Sequence, residues 1–121
     1  MITVFADCHL MGDAFSPAAA EVATGLSFDD KVEPGDGQPH GEAELRLGDP
    51  EPGEDFYALD APLLRALAEH LPALRAAGAT DIRLNFYVEH DGQCNLEMSP
   101  SWLRAIGALK VDVTMTTYQA D

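Results

Sequence analysis

Apolar and polar side chains alternate at the start of the chain. Ile2, Val4, Ala6, Cys8 and Leu10 interleave with Thr3, Phe5, Asp7, His9 and Met11. A period of two puts one set on one face of a pleated strand, so a strand is predicted over 2–10. Ser16 then supplies an N-cap oxygen, Pro17 suits the first helical position, and Gly25 suits a left-handed end, which predicts a helix over 17–24. Ala43, Leu45 and Leu47 alternate with Glu42, Glu44 and Arg46, predicting a second strand with one wet face. From Asp60, a candidate cap, Leu63, Leu64, Leu67, Leu71 and Leu74 form one apolar stripe and predict the main helix, running to Gly78. Pro72 lies inside it. Because proline has no amide hydrogen and crowds the preceding turn, a kink or break is expected near His70-Leu71.

Residues 81–98 read as a hairpin. Ile82, Leu84, Phe86 and Val88 make one face of a strand, and Cys94, Leu96 and Met98 one face of the next. A two-residue Asp91-Gly92 loop would pair opposite faces, because a slip of one residue turns every side chain over. A three-residue loop, His90-Asp91-Gly92, pairs Val88 with Cys94, Phe86 with Leu96 and Leu84 with Met98, and puts Gly92 at a left-handed position. This register points Cys94 into the core and leaves His90 at an exposed tip. Ser99-Pro100 repeats the cap-plus-proline signal before a short helix through Trp102, Leu103 and Ile106. Val111, Val113 and Met115 alternate with Asp112, Thr114 and Thr116 in a last strand. The order β-α-β-α-β-β-α-β predicts an α+β fold, a mostly antiparallel sheet of about five strands with helices on one face.

With 121 residues, 46% of them hydrophobic, the chain suits a single domain over 1–121 with a full core. Charge changes the picture more. Acids outnumber bases 21 to 7, a net charge of -14, and residues 28–60 hold eleven of the acids against two bases. That segment is rich in Gly and Pro and reads as an acidic loop region broken by one short strand. Such a charge opposes contact with phosphate backbones, so no nucleic-acid partner is expected. The first residues lack a basic, apolar leader and no run is long enough to span a bilayer, so a cytoplasmic protein without membrane contact is expected. The two cysteines, Cys8 and Cys94, fit reduced thiols better than a disulfide framework.

Candidate chemistry is thin. Cys8, His9, His90 and Cys94 are ligand types for zinc, but Cys8 and His9 are adjacent on a strand and face opposite sides. No metal, cofactor or catalytic residue is assigned. Gly35, Gly37 and Gly41 lack the lysine of a phosphate loop and sit among acids. The outer face of the hairpin is more informative. Arg83, Asn85, Tyr87 and Glu89 face away from the core, with Asn95 and Glu97 expected beside Tyr87 and Asn85. Tyr and Arg are enriched at binding hot spots, so this face is a candidate contact surface, extended by Asp49, Glu51, Glu54 and Asp55 of the acidic loop.

Phe86-Tyr87-Val88, then Asp91-Gly92-Gln93-Cys94-Asn95-Leu96-Glu97-Met98-Ser99-Pro100, Leu103, Ile106-Gly107 and the strand to Tyr118, resemble bacterial proteins grouped as domain of unknown function 4279. The helix from Ser16-Pro17 to Thr24-Gly25-Leu26 is similar to that family's first helix, whereas the middle segment is more acidic and richer in Gly and Pro. The resemblance implies no catalytic residues. Some members look like immunity proteins of bacterial toxin systems. A non-enzymatic domain that binds a basic protein, as an immunity protein or adaptor, is therefore the first reading, in keeping with charge-steered association. The alternatives are a small enzyme or small-molecule domain with a pocket between helix and sheet, and a homodimer joined through an edge strand. The apolar inner face weighs against catalysis.

Overall fold

The computed structural model describes residues 2–35, 37–52 and 56–120. Among them are β1 (Ile2–Gly12), α1 (Pro17–Thr24), β2 (Asp29–Val32), β3 (Gly41–Leu45), β4 (Glu51–Pro52), α2 (Pro62–Ala76), β5 (Asp81–His90), α3 (Pro100–Ala108) and β6 (Asp112–Gln119). The fold is α+β. The strands form an open, mostly antiparallel sheet in the order β2-β3-β1-β5-β6, with β4 pairing beside the start of β1. β1 and β5 make the longest antiparallel ladder, from Ile2 opposite His90 to Met11 opposite Asp81. Their even-numbered residues Val4, Cys8, Leu10, Ile82, Leu84, Phe86 and Val88 are buried beneath the helices. The α2 leucines 63, 64, 67, 71 and 74 cover them, joined by Ala20 of α1 and by Trp102 and Ile106 of α3.

Local signals act largely as predicted. Ser16 accepts the Ala19 amide at 3.1 Å, Pro17 opens α1, and Gly25 closes it with φ of 76°. Glu33 adds a second anchor there, accepting from Ser16 Oγ at 2.7 Å and from the Ala18 amide at 3.0 Å. Ser99 caps α3 through the Trp102 amide. At the other end of α3, Arg75 donates to the carbonyls of Leu109 and Lys110, satisfying acceptors that the helix end leaves free.

Three expectations are corrected. Residues 94–98 form no strand and the hairpin does not close. Both edges of β5 are occupied, by β1 along its length and by β6, which runs parallel to it from Arg83 opposite Asp112 to His90 opposite Gln119. A parallel neighbour needs a crossover, and residues 93–99 with α3 supply it. The period of two persists in that connection, because Cys94, Leu96 and Met98 are half-buried against the core while Asn95 and Glu97 are exposed. Second, α2 runs unbroken through Pro72, which lies on the exposed face, where water can take the carbonyl that proline leaves unpaired. Its N-cap is Ala61 without a side-chain bond, not Asp60. Third, the 28–60 region contains β2 and β4 as well as β3. Phe56 and Tyr57 also anchor that region in the core at 2% and 1% exposure.

The two thiols differ. Cys8 is completely covered on the core face, and burial, with the Asp7 carboxylate adding to it, pushes its thiol from an ordinary 9.0 to about 12. Cys94 is half-buried in the crossover. We expect one thiol, Cys94, to be alkylated in the native protein at pH 8 and Cys8 only after unfolding, read by mass spectrometry. Equal labelling rates would contradict this packing. The unfolded chain releases the Cys8 proton near pH 9 while the folded one retains it, so this contribution to stability is complete below pH 9. It is lost as pH rises toward about 12.

Candidate functional site

The face of the sheet opposite the helices is uncovered, because the odd-numbered residues of β1 and β5 alternate away from the core. On it, Phe5 lies opposite Tyr87, Asp7 opposite Asn85 and His9 opposite Arg83. A polar row crosses three strands: Asn85 donates to Asp7 Oδ1 at 2.9 Å and accepts from Thr114 Oγ1 of β6 at 2.5 Å. The amide is thus fixed in one orientation. Further along β1, His9 approaches Glu42 of β3 at 3.3 Å, with His40 at 4.0 Å from the same carboxylate. Cys8 and His9 do face opposite sides, and among the described residues no group of three His, Cys, Asp or Glu side chains, this one included, is arranged to hold a metal ion.

Where β1 meets the chain leaving β3, Phe5, Asp7, Arg46, Asp49, Tyr57 and Tyr87 line a cleft of about 270 Å³, open to solvent. Gly48, at φ of 82°, turns the chain there after β3 and carries Asp49 to the rim. Arg46 is held by carboxylates, touching Glu44 and lying 3.2 Å from Asp30 and 3.9 Å from Asp29. Glu44 first, with Asp30, Asp29 and Asp7, raises its pKa further, so it stays charged. Burial first, then the Asp7 and Glu44 carboxylates, raise the Tyr87 phenol above its ordinary value, keeping it a neutral donor. The cleft combines the Asp7 and Asp49 carboxylates with aromatic walls, while the Arg46 guanidinium in its lining is already paired with Glu44, Asp30 and Asp29. That suits a cationic side chain, which a carboxylate pairs and an aromatic ring face attracts.

Of the residues picked from sequence, Arg83, Asn85, Tyr87 and Glu89 share the open face as expected. Asn95 and Glu97 do not stand beside Tyr87 and Asn85; they are exposed in the crossover, and Asp7 and Thr114 take the places beside Asn85. Asp49 is exposed on the cleft rim, and Glu51 lies in β4 opposite Val4. Glu54 and Asp55 lie outside the described residues. Sequence reasoning missed Phe5, Asp7 and Arg46 as site residues. The alternation of β1 already placed Phe5 and Asp7 on its wet face, but only the β1–β5 register brings them to Tyr87.

Among the described residues no helix is long and apolar enough to cross a membrane. Comparison of the chain with protein-family models, curated proteins and solved structures finds no match.

Proposed function

We propose that the protein is a non-enzymatic binding domain that captures a basic protein on the open face of its sheet, as an immunity protein or adaptor does. The observation that carries this reading is the cleft, where Asp7 and Asp49 stand with Phe5 and Tyr87 on an uncovered face and the Arg46 guanidinium beside them is already held by Glu44, Asp30 and Asp29. An arginine or lysine of the partner would enter between the aromatic rings and the carboxylates. The net charge of -14 would steer the encounter from a distance. A pocket between helix and sheet finds less support, since no described polar side chain is buried in that layer.

Affinity capture from the source cell's lysate at low and moderate salt, followed by mass spectrometry, tests the proposal. A basic protein retained at low salt and diminished at moderate salt is expected, because salt screens exposed charges beyond ~10 Å at 0.1 M. Tyr87→Ala should weaken that capture by at least about tenfold, the size of a hot-spot truncation. Reversing Asp49, Glu51, Glu54 and Asp55 to Lys should weaken it further at low salt while the far-UV spectrum is retained. No retained basic protein, or unchanged affinity in both variants, would overturn the reading.

A further inference from the structure

The two edges of the sheet are built differently. β2 carries the devices that blunt an edge: four residues only, three of them charged (Asp29, Asp30 and Lys31), and an irregular register between Asp29 and Val32. β6 carries none of them. It has eight residues, an uninterrupted register with β5, no proline or lysine, and one charge, Asp112. Among the described residues no strand lies beyond it. On the helix side it shows Val113 and Met115 at 38% and 37% exposure, although their neighbours on β5, Leu84 and Phe86, are completely covered. The core layer therefore ends one strand short of the sheet.

We propose that β6 pairs antiparallel with β6 of a second copy of this chain, joining the two sheets about a two-fold axis at Met115. The edge is self-complementary in a two-fold register, and its low charge lets two like-charged copies meet there. Two copies carrying -14 each repel one another almost everywhere, and β6 is a long edge where they meet with one carboxylate apiece. A basic strand would find little to attract it there, whereas the 28–60 region would draw it away. An axis perpendicular to the sheet keeps helices on the same side in both copies, so residues on one face meet residues on the same face. Centred on Met115, it sets Met115 against itself, Val113 against Thr117, Thr114 against Thr116, and Asp112 against Tyr118. No like charges stand opposite one another, and Val113 and Met115 gain the cover they lack. The open faces with their clefts would form one continuous surface. This inference does not rest on the proposed function.

Sedimentation of the intact protein over a range of micromolar concentrations, in about 0.15 M salt where screening reaches ~8 Å, reads the assembly. The wild type is expected at twice 13.0 kDa. Met115→Lys places two ammonium groups on the axis and is expected to sediment at 13.0 kDa with an unchanged circular dichroism spectrum. Val22→Lys, at a residue 89% exposed on α1, is expected to remain a dimer. As a second readout that does not depend on Met115→Lys folding, Met115→Cys in a Cys94→Ser background should oxidise to a disulfide dimer. Directly opposed strand residues lie about 4.5–5.5 Å apart at Cα, within disulfide reach. Val113→Cys in the same background should not, since Val113 meets Thr117 and not itself. A monomeric wild type, a dimer abolished by Val22→Lys but not by Met115→Lys, or equal cross-linking at 113 and 115 would overturn the proposal.

Discussion

Replacing Phe86 by alanine is expected to lower the free energy of unfolding by about 3–5 kcal/mol, enough to leave a domain of ordinary stability close to unfolding at room temperature. Phe86 sits at the centre of the core on β5 with no exposed surface. Three rings surround it: Phe56 with centroids at 5.1 Å, Tyr57 at 5.4 Å and Trp102 at 5.7 Å, the first two edge-on. The preferred edge-to-face geometry adds to the area buried, and none of these rings can close the gap without losing it. Trp102 is also tied down, its indole N–H donating to the Tyr57 carbonyl at 2.7 Å, and Phe56 holds a left-handed φ of 56°. The cavity would therefore persist. Urea unfolding measures the loss, and Phe5→Ala, on the half-buried open face of β1, should cost clearly less. Equal costs at the two positions would mean that Phe86 does not centre the core.

That ring cluster also marks where sequence reading reaches its limit. The strand faces, the Ser16-Pro17 and Ser99-Pro100 helix starts and the leucine stripe of α2 were legible, because each depends on residues within a turn or two of one another. Phe56 and Tyr57 were not legible as core, because they lie in an acidic, Gly- and Pro-rich stretch that has the composition of a solvated loop. Only the approach of α3 and β5 makes them interior. The false hairpin has a similar cause. Alternation reports which face of an extended segment is covered, and Cys94, Leu96 and Met98 are indeed the covered side. It does not report which edge supplies the hydrogen bonds, and β6 held that position from further along the chain. The cleft was half visible: Tyr87 and Asp49 were on the candidate surface, but their meeting with Phe5, Asp7 and Arg46 depends on β1 lying between β3 and β5.

The packing at the far end of β1 turns on glycine, and Gly41→Ala is expected to destabilise the protein by more than about 3 kcal/mol, the range reserved for substitutions with a definite steric cause. Gly41, the first residue of β3, lies opposite Gly12, the last of β1; the turn leading into α1 crosses over Gly41, and the α2–β5 turn crosses over Gly12. A methyl group at Gly41 would stand 1.8 Å from the Phe15 carbonyl oxygen and 2.9 Å from its carbon, and one at Gly12 would stand 2.1 Å from the Gly78 carbonyl oxygen. These are backbone atoms, which cannot swing aside as a side chain does. Phe15 is itself fully buried and bonded back to Gly12 at 3.1 Å, while Ser16, the cap of α1, bonds to Ala77 beyond the end of α2. Displacing Phe15 therefore disturbs the core, the start of α1 and the α2–β5 turn together. Gly107→Ala is the contrasting case, because it lies exposed inside α3 with nothing near its missing methyl, and there alanine should stabilise by about 0.5–1 kcal/mol. Urea midpoints moving in opposite directions for the two variants would establish close approach as the reason for glycine at 41, and an unchanged midpoint for Gly41→Ala would refute it.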